Sequence, residues 1–540
     1  MTIFSSFLET PSKLSYVENS TLIPLEKNLA KQAPSSLPFK DYVFAENRVY
    51  CMVILGIMIL EWILFKLCYP FPDFFSDSYG YIIAAALHLN VNIWPIGYSR
   101  FLAFFHFFTT SGWTLVFFQY LVWSVSALYF YLTVTYFYHT GRNTRTFLCI
   151  FLFFNPLFLY VANYVTSDML FISMSTIWIT QLIWILHRPR LYQALVQAIL
   201  VFIMFTFRYN AMIYPLIATG VFLMSKQKIW AKVLGIVSAP VLILLFIIWS
   251  SQAAKDLTGT AQFPPILGGW QWGNNALYIR GFIQEDSNAF PTPETAELDR
   301  ISRKFFSLPS RPQDLLYSEV ANFFIRHPEA PLKQYMRRHY HPHTDYEDIV
   351  AWGKVAVIFD LYGKFIIKRH PLAFARYYLL VNTKNYFIPP LEKLEIYNVG
   401  QNEMWSSGQA WFQYPSPKVW CISKKLQGTV LALFPISFLL LHLYFIISLI
   451  QFVRLGGFRK TSRTVRYTIL IITTFLALNA AFSIFANIIV IRYEIFPMLV
   501  FFSFAMLLTD YSEILSASAR HPNDHLPLLD RENTSSPLPA

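Results

Sequence analysis

Residues 49–69 read VYCMVILGIMILEWILFKLCY, and this stretch decides the fold class. It holds two charged residues, Glu61 and Lys66, and Lys66 lies near enough to the end to extend its ammonium toward water. A helix needs about 20 apolar residues to cross the roughly 30 Å hydrocarbon core of a bilayer. The stretch therefore predicts a membrane-spanning helix in which Glu61 must face a partner or a cavity.

The same signal recurs along most of the chain. Its 540 residues are 55% hydrophobic, 18% aromatic and only 14% charged, and the mean hydropathy is +0.41, which excludes an ordinary soluble domain. We expect an all-α polytopic membrane protein with about ten transmembrane helices. The apolar windows are 49–69, 113–137, 147–161, 169–186, 191–207, 212–224, 229–249, 430–453, 467–485 and 495–508. The fifth and sixth are short and are joined by a polar break, which indicates two brief helices meeting near one face.

Lysine and arginine set the expected topology. Short loops around 142–145, 188–190, 226–232 and 454–466 are basic, whereas the alternate short loops carry only Arg208 and Arg492. Basic loops stay in the cytoplasm, so both termini are predicted to be cytoplasmic. The net charge of +12 is explained by these loops and by contact with membrane lipid, and no nucleic-acid partner is expected.

This topology divides the chain into modules. The N-terminal segment shows no cleavable signal pattern, so the first span is expected to remain in the protein. The four cysteines offer no disulfide framework, and the large outer loop has no glycosylation triplet, which together favour a bacterial inner membrane over the endoplasmic reticulum. The modules are a cytoplasmic segment 1–48, a transmembrane module 49–250 with a first outer loop 70–112, a mostly helical extracytoplasmic loop domain 251–428, a second transmembrane module 429–509 and a cytoplasmic tail 510–540.

One acid marks the start of the first outer loop. Asp77 lies within FSDSYGYI, residues 75–82, and the loop continues with aromatic, interrupted stretches that predict interfacial helices. A carboxylate at this position could take a proton from a hydroxyl. The alternative is that Asp77, with Ser76 and Ser78, caps the helix that follows. Asp73 is a second candidate for the base.

The order of several motifs resembles that of the GT-C superfamily of integral-membrane glycosyltransferases, protein mannosyltransferases among them. After SDSYGYI come WPIGYSRFLAFFH at residues 94–106, YVTSDMLFISM at 164–174, FRYNAMIYPL at 207–216 and VIRYEIFPMLVFFS at 490–503. The resemblance covers roughly 49–220 and 490–508, and the loop domain matches no pattern we can name. It implies transfer of a sugar from a polyprenyl-phosphate-linked donor to a hydroxyl acceptor on a glycan, lipid or protein, with inversion.

The resemblance also assigns roles to residues. It implies Asp77 as the catalytic base and Asp168 as a second acid, which together could hold a divalent metal ion; Asp168 could equally serve only the helix dipole. Arg208, Arg492 and Tyr493 are expected to bind the donor phosphate, because a guanidinium fork matches phosphate oxygens. Either arginine could instead bind a lipid headgroup or a local acid such as Glu494.

Other residues are candidates for substrate binding. His88, Tyr98 and Arg100 accompany the interfacial segment, where aromatic anchoring is the alternative role. Trp270 and Asn275 belong to an aromatic and amide group that suits sugar stacking, or simple packing of the loop. The run RRHYHPHTDYED at 337–348 favours a solvated loop over a metal site, because it lacks helical ligand spacing.

Two other function classes compete with the transferase. A transporter or lipid flippase should show paired repeats and a polar site at the membrane midplane, and the sequence shows neither. A non-catalytic subunit of the same fold would keep the motifs without transfer activity. We expect a glycosyltransferase of the hexosyltransferase class that acts in glycan biosynthesis.

Overall fold

A computed structural model describes residues 37–308 and 321–520, and throughout these ranges the regular structure is helical, with two isolated β-bridges. Several helices are long and apolar enough to cross a membrane, so the chain is an all-α membrane protein. The eight candidates within the described residues are Arg48–Cys68, Gly112–Phe137, Arg142–Ala162, Asp168–His187, Ile229–Thr258, Leu426–Arg454, Arg463–Ala486 and Ile491–Ala519.

Two further apolar helices correspond to the short fifth and sixth windows. Tyr192–Phe207 and Tyr209–Met224 are each shorter than a full crossing, and they meet at Arg208, whose backbone is extended. All ten predicted windows are therefore mainly helical, with interruptions at 154–155 in the third window and at 432–433 in the eighth, while the count of ten complete spans stays a prediction. If both short helices cross the membrane, or if neither does, the predicted side of the two termini stays the same. The reason is that two crossings return the polypeptide to the side from which it started.

The other helices form the interfacial segments and the loop domain. The α-helices are Phe39–Asp41, Ser76–Ala86, Gly97–Phe108, Leu267–Arg280, Pro293–Phe306, Phe323–Arg326, Pro331–His339, Asp345–Arg369, Pro371–Phe374, Leu380–Phe387, Ser406–Phe412 and Gly457–Lys460. Short π-helices are Tyr42–Glu46 and Ala375–Leu379. Short 3₁₀-helices are Tyr209–Ile213, Ser287–Ala289, Glu392–Glu395 and Tyr397–Gly400.

Local signals explain where the long helices begin and end. Ser111 accepts the backbone N–H of Thr114 at 3.2 Å, and Ser462 accepts that of Val465 at 3.2 Å, so both helices start at a serine cap. The helix Ile229–Thr258 ends at Gly259, whose φ of +84° places it in the left-handed region that glycine adopts without strain.

The loop domain is built on one close helix pair. Gly269 on the helix Leu267–Arg280 lies directly over the backbone carbonyl of Ala356 on the helix Asp345–Arg369, where a Cβ atom would clash. Gly363 approaches the backbone of Trp272 in the same way. The two glycines let the backbones approach closely.

Hydrogen bonds tie the loop domain to the membrane helices. Asn382 donates to the carbonyl of Ile484 at 2.7 Å and accepts the N–H of Ile489 at 2.8 Å. Asn275 donates to the carbonyl of Ala486 at 3.1 Å. These amide contacts hold the chain between the last two long helices against the loop domain.

Several predicted boundaries fall inside helices. The helix Ile229–Thr258 runs past the predicted domain boundary at 251, and Ile491–Arg520 runs past the predicted start of the tail at 510. After the gap at 309–320, the described chain resumes at residue 321 and soon forms the short helix Phe323–Arg326. Residues 1–36, 309–320 and 521–540 lie outside the described ranges.

Candidate functional site

A cavity of about 530 Å³ lies between the ends of the membrane helices and the loop domain. The membrane part contributes the helix Ser76–Ala86, the starts of Asp168–His187 and Ile491–Arg520, and the joint between the two short helices. Five residues with a predicted catalytic or phosphate-binding role line this single cavity: Asp77, Asp168, Arg208, Arg492 and Tyr493.

Asp77 lies in the first turn of its helix with its side chain toward the cavity. The residue is 8% exposed, and its Oδ1 accepts a hydrogen bond from Ser76 Oγ at 3.2 Å. The helix is capped instead by Ser78, whose Oγ accepts the Phe75 N–H at 3.2 Å. Because that capping bond belongs to Ser78, the carboxylate of Asp77 remains available to the cavity.

Asp168 joins two of the predicted arginines. It begins the helix Asp168–His187, its side chain is 3% exposed, and its Oδ1 is ion-paired with Arg208 Nη1. Its Oδ2 accepts from Arg492 Nη1 at 2.9 Å and from Thr166 Oγ1 at 3.0 Å. Asp168 thus holds both guanidinium groups at one wall of the cavity.

Arg492 is the most deeply buried of these cations, with a side chain 2% exposed. Besides its bond to Asp168, its Nη2 lies 3.5 Å from Glu392 Oε2. Its Nε has no hydrogen-bond partner among the described residues. The ring of Phe75 packs against the guanidinium, with 4.7 Å between ring centroid and Cζ, so two carboxylates and an aromatic ring fix Arg492 while its Nε–H stays without a partner among the described residues.

Arg326 and Glu392 were missed by sequence reasoning. Arg326 Nη1 is ion-paired with Glu392 Oε1, and Arg326 Nη2 lies 3.9 Å from Asp77 Oδ1. Burial opposes ionisation of Glu392, but the charges of Arg326 and Arg492 outweigh it and hold the pKa of Glu392 below its ordinary value. Arg326 lines the cavity, and Glu392 supports it from behind.

Together these contacts form one ion-pair chain, in which carboxylates and guanidinium groups alternate. The chain runs Arg208, Asp168, Arg492, Glu392, Arg326, Asp77. Its members come from distant parts of the sequence, and the three positive and three negative charges balance. Burying an unpaired charge costs several kcal/mol, so this alternation is what permits three arginines to lie at the end of a membrane helix bundle.

Tyr493 packs against two arginines of the ion-pair chain. Its ring centroid lies 5.0 Å from the Cζ of Arg208 and 5.4 Å from that of Arg492. A tyrosine face attracts a guanidinium and orients it without neutralising its charge. Tyr493 therefore positions the two cations, and its contacts are with protein groups.

Three predicted substrate-binding residues lie outside the cavity lining. Tyr98 is fully buried, and its hydroxyl donates to Gln119 Oε1 at 2.9 Å, so it is part of the core. Arg100 is exposed and donates to Asn90 Oδ1 at 2.6 Å. His88 is exposed with φ of +53° and follows the end of the helix Ser76–Ala86. A substrate role for any of the three therefore finds no support in the lining of this cavity.

Trp270 and Asn275 also serve packing. Trp270 is fully buried, stacks on Trp352 with ring centroids 4.0 Å apart and donates from Nε1 to the Trp352 carbonyl at 2.9 Å. Asn275 binds the Ala486 carbonyl and accepts from Gln271 at 2.9 Å. Neither lines the cavity, whereas Trp352 and Gln271, their contact partners, do.

The donor set does not fit a divalent metal. In the ranges 37–308 and 321–520 no three His, Cys, Asp or Glu side chains come together as ligands. Both oxygens of Asp168 are bonded to arginines, and a cation there would face two positive charges. The histidine-rich run does not supply a site either, since His339 Nε2 contacts Glu297 Oε2 at 3.1 Å.

Asp73, the alternative base, is an internal anchor. It is 1% exposed, its Oδ1 accepts the Asn398 N–H at 2.8 Å, and its backbone bonds to Asn163 and Val165. Burial raises the pKa of Asp73 to about 8, against the opposing effect of that N–H. It lies outside the cavity lining and joins the loop domain to the first outer segment.

Further residues of the loop domain line the cavity. Lys333 Nζ lies 3.6 Å from the centroid of the Trp352 ring, and burial lowers the pKa of Lys333 to about 8. Burial also raises the pKa of Asp348, with Lys333 opposing the shift. Both residues line the cavity, so a ligand would meet a second pair of ionisable groups beyond the arginines.

Comparison of the chain with protein-family models, curated proteins and solved structures gives no significant match.

Proposed function

We propose that this membrane protein is a glycosyltransferase that moves a sugar from a polyprenyl-phosphate-linked donor to a hydroxyl of a glycan, lipid or protein, on the non-cytoplasmic face of a bacterial inner membrane. One observation carries the proposal: a single cavity at the end of the helix bundle is bordered by Asp77 and by guanidinium groups from three distant segments. Sugar transfer from a lipid phosphate requires a proton acceptor beside a phosphate-binding group.

The arginines supply the phosphate site of this proposal. Arg208 and Arg326 have side chains 17% and 19% exposed, so each keeps donors that face the cavity. Arg492 lies behind them and is held by Asp168 and Glu392. We assign Arg208 and Arg326 to direct contact with the donor phosphate, and Arg492 to positioning both through the shared carboxylates, with its free Nε as a further donor.

Asp77 serves as the base. The acceptor hydroxyl loses its proton to the Asp77 carboxylate while its oxygen forms a bond to the anomeric carbon of the sugar. The bond from that carbon to the phosphate oxygen breaks, and its electron pair stays on the phosphate. The guanidinium groups stabilise the charge that develops there, more strongly in a buried site than in water. A single displacement of this kind inverts the anomeric centre.

Replacing the base tests the proposal. The purified protein in lipid nanodiscs is supplied with radiolabelled polyprenyl-phosphate hexoses and acceptor extract, and sugar transfer is measured. Asp77→Asn is expected to lower transfer by about 10²–10⁴-fold, the usual contribution of a general base. The control Asp256→Asn changes an aspartate near the end of the helix Ile229–Thr258, outside the cavity lining.

Two results would contradict the proposal, the first at the level of the base and the second at the level of the activity. Equal transfer by the wild type and Asp77→Asn would remove the proposed base. Counterflow of a labelled lipid-linked sugar across the bilayer, with no transfer to any acceptor, would instead indicate a transporter.

A further inference from the structure

Residues 371–387 of the loop domain form one continuous helical stretch with two unlike faces. The stretch joins the helix Pro371–Phe374, the π-helix Ala375–Leu379 and the helix Leu380–Phe387. Its inner face is buried at every fourth residue: Phe374, Tyr378, Asn382 and Tyr386. Its outer face is exposed with the same spacing: Leu372, Arg376, Leu380, Lys384 and, directly after the helix, Ile388. An amphipathic helix of this kind packs on the protein with one face and leaves the other face for a different environment.

The inner face runs from the end of one membrane helix toward the middle of another. Phe374 packs edge-on against Phe485, beside the end of the second-last long helix, with ring centroids 6.0 Å apart. Farther along, the rings of Tyr386 and Phe387 each have their centroid 5.0 Å from that of His442. His442 lies near the middle of its candidate membrane span. The stretch therefore descends along the helix bundle from the side on which the loop domain lies.

The polypeptide then turns back toward the cavity. Pro389 and Pro390 follow the stretch, and a helix usually ends before a proline because the ring disfavours the helical conformation of the preceding residue. The carbonyl of Pro390 accepts the N–H of Ile491 at 3.0 Å, at the start of the last long helix. A segment that enters a membrane bundle and leaves it on the same side is re-entrant, and such segments occur where surrounding protein covers the backbone.

The outer face combines apolar and basic side chains. Leu372 and Leu380 are 85% and 66% exposed, and in a bilayer such side chains contact acyl chains. Arg376 and Lys384 alternate with them and are exposed as well. Within the described residues neither cation has an ion pair, and residues 371–390 contain no aspartate or glutamate. A negatively charged lipid headgroup would balance this face.

Helix geometry brings the two cations to one level. Side chains on an α-helix lean toward its N-terminus, and the N-terminal end of this stretch lies at the end of the bundle, next to Phe485. Lys384 therefore extends back toward the level of Arg376, and its long stem lets the ammonium reach polar headgroups from within the apolar layer. Leu380 and Ile388 stay alongside the acyl chains. This arrangement matches a lipid whose phosphate lies near the surface and whose chains lie below it.

We propose that residues 371–388 form a re-entrant segment that binds an anionic phospholipid of the leaflet on the loop-domain side, through contact of its phosphate with Arg376 and Lys384. The site is separate from the cavity, because none of its five exposed residues belongs to the cavity lining. It is also independent of sugar transfer. The proposal places within the bilayer a segment that the sequence assigns to the extracytoplasmic domain.

Photolabelling with lipids of defined headgroup tests this site. The intact protein is reconstituted into phosphatidylcholine nanodiscs that contain a small fraction of phosphatidylglycerol or phosphatidylcholine with a diazirine in its acyl chain. After illumination, labelled peptides are located by mass spectrometry. Each basic residue near an anionic headgroup strengthens binding by about fivefold. At equal mole fraction, phosphatidylglycerol should therefore label residues 371–388 about 10- to 30-fold more than phosphatidylcholine does.

The double variant Arg376→Gln/Lys384→Gln removes both charges and keeps the apolar face. The two lipids should label its residues 371–388 to the same extent, within about 2-fold. The matched control Lys304→Gln/Arg338→Gln removes two exposed cations from other helices of the loop domain and should keep the wild-type preference. If the double variant does not fold, competition on the wild type decides: excess unlabelled phosphatidylglycerol should suppress the labelling, and excess phosphatidylcholine should not.

Three results would overturn the assignment. Absence of label from residues 371–388 with both lipids would show that the segment does not contact acyl chains. Equal labelling of the wild type by the two lipids would remove the anionic site. Suppression of the labelling by undecaprenyl phosphate and not by phosphatidylglycerol would assign the surface to a lipid-phosphate donor instead. None of these results depends on transfer, so a failure here is distinct from a failure of the proposed transferase.

Discussion

Arg492 Nη1 donates a hydrogen bond to Asp168 Oδ2 across 2.9 Å, although 324 residues separate the two in the sequence. Both side chains are almost fully buried, at 2% and 3% exposure. The bond joins the start of the last long helix to the start of the helix Asp168–His187. It is the central link of the ion-pair chain, so its loss should affect both folding and the cavity.

Replacing Arg492 should destabilise the protein strongly. Arg492→Met leaves Asp168 and Glu392 each with one partner fewer, and breaking a buried pair from one side costs about 3–5 kcal/mol. Unfolding in mixed detergent micelles measures this change. The double variant Asp168→Asn/Arg492→Met should lose less than the sum of the single variants, because the second change removes a charge that the first left unpaired.

The control for these single and double variants is Arg463→Met, which changes an exposed arginine that donates a hydrogen bond to the Tyr467 hydroxyl at 2.8 Å. We expect a change of about 0.5 kcal/mol or less for such a surface position. Strict additivity of the Asp168 and Arg492 substitutions would contradict the ion-pair chain.

Asp73 should make stability depend on pH. Burial raises the pKa of Asp73 to about 8, whereas an aspartate in an unfolded chain titrates near about 4. Between these values the folded protein holds a proton that the unfolded chain has released, so stability falls as pH rises from about 4 to about 8. In Asp73→Asn this contribution should vanish. The thermal midpoint of the variant should therefore rise relative to that of the wild type as the pH approaches 8.

Differential scanning calorimetry across this pH range measures the effect. Asp256→Asn serves again as the control and should follow the wild-type curve. A parallel pH dependence of Asp73→Asn and wild type would show that Asp73 does not titrate in the predicted window.

The glycine contact in the loop domain should be intolerant of a methyl group. Gly269→Ala would drive a Cβ atom into the carbonyl of Ala356, and overpacking of this kind costs about 1–3 kcal/mol. We expect a lower thermal midpoint and faster proteolysis within the loop domain. The control Gly56→Ala places a Cβ where no atom lies within 4 Å and should be near neutral; equal effects of the two would refute the close contact.

The sequence predicted the membrane class well, because hydrocarbon thickness imposes a length and a composition that can be read locally. The apolar windows are mainly helical, and two of them are interrupted, at 154–155 and 432–433. Element ends were less accurate: Ile229–Thr258 runs beyond its apolar window as an amphipathic extension that packs on the loop domain, with Gly353 against Thr258. Apolar length alone carries no signal for such an extension.

The cavity was predicted only in part, for a physical reason. Four of the predicted residues are recognisable in the sequence as charges near the end of a membrane span: Asp77, Asp168, Arg208 and Arg492. Arg326 and Glu392 lie within the long loop domain, where charged residues are common and no local pattern distinguishes a buried one. Only the tertiary fold brings them to Arg492. The one available hint for Glu392 was its position after the Pro389–Pro390 break.

Tyr98 and Trp270 were candidates for substrate binding, with anchoring or packing as the alternative. Both are fully buried and hydrogen-bonded within the protein, which favours the packing alternative. A tyrosine or tryptophan with a buried polar group is satisfied by the core as readily as by a ligand. The sequence alone does not separate these cases.

The most direct test of the central claim is binding of undecaprenyl phosphate, the group common to all proposed donors, to the purified protein. We expect saturable binding that Arg326→Met and Arg208→Met each weaken by about 10- to 100-fold, consistent with loss of a charge-assisted hydrogen bond. The control Arg337→Met, which removes an exposed arginine whose Nη1 donates to the Pro328 carbonyl at 3.2 Å, should bind as the wild type does. Absence of binding, or equal binding by the wild type and Arg326→Met, would contradict a phosphate site at this cavity.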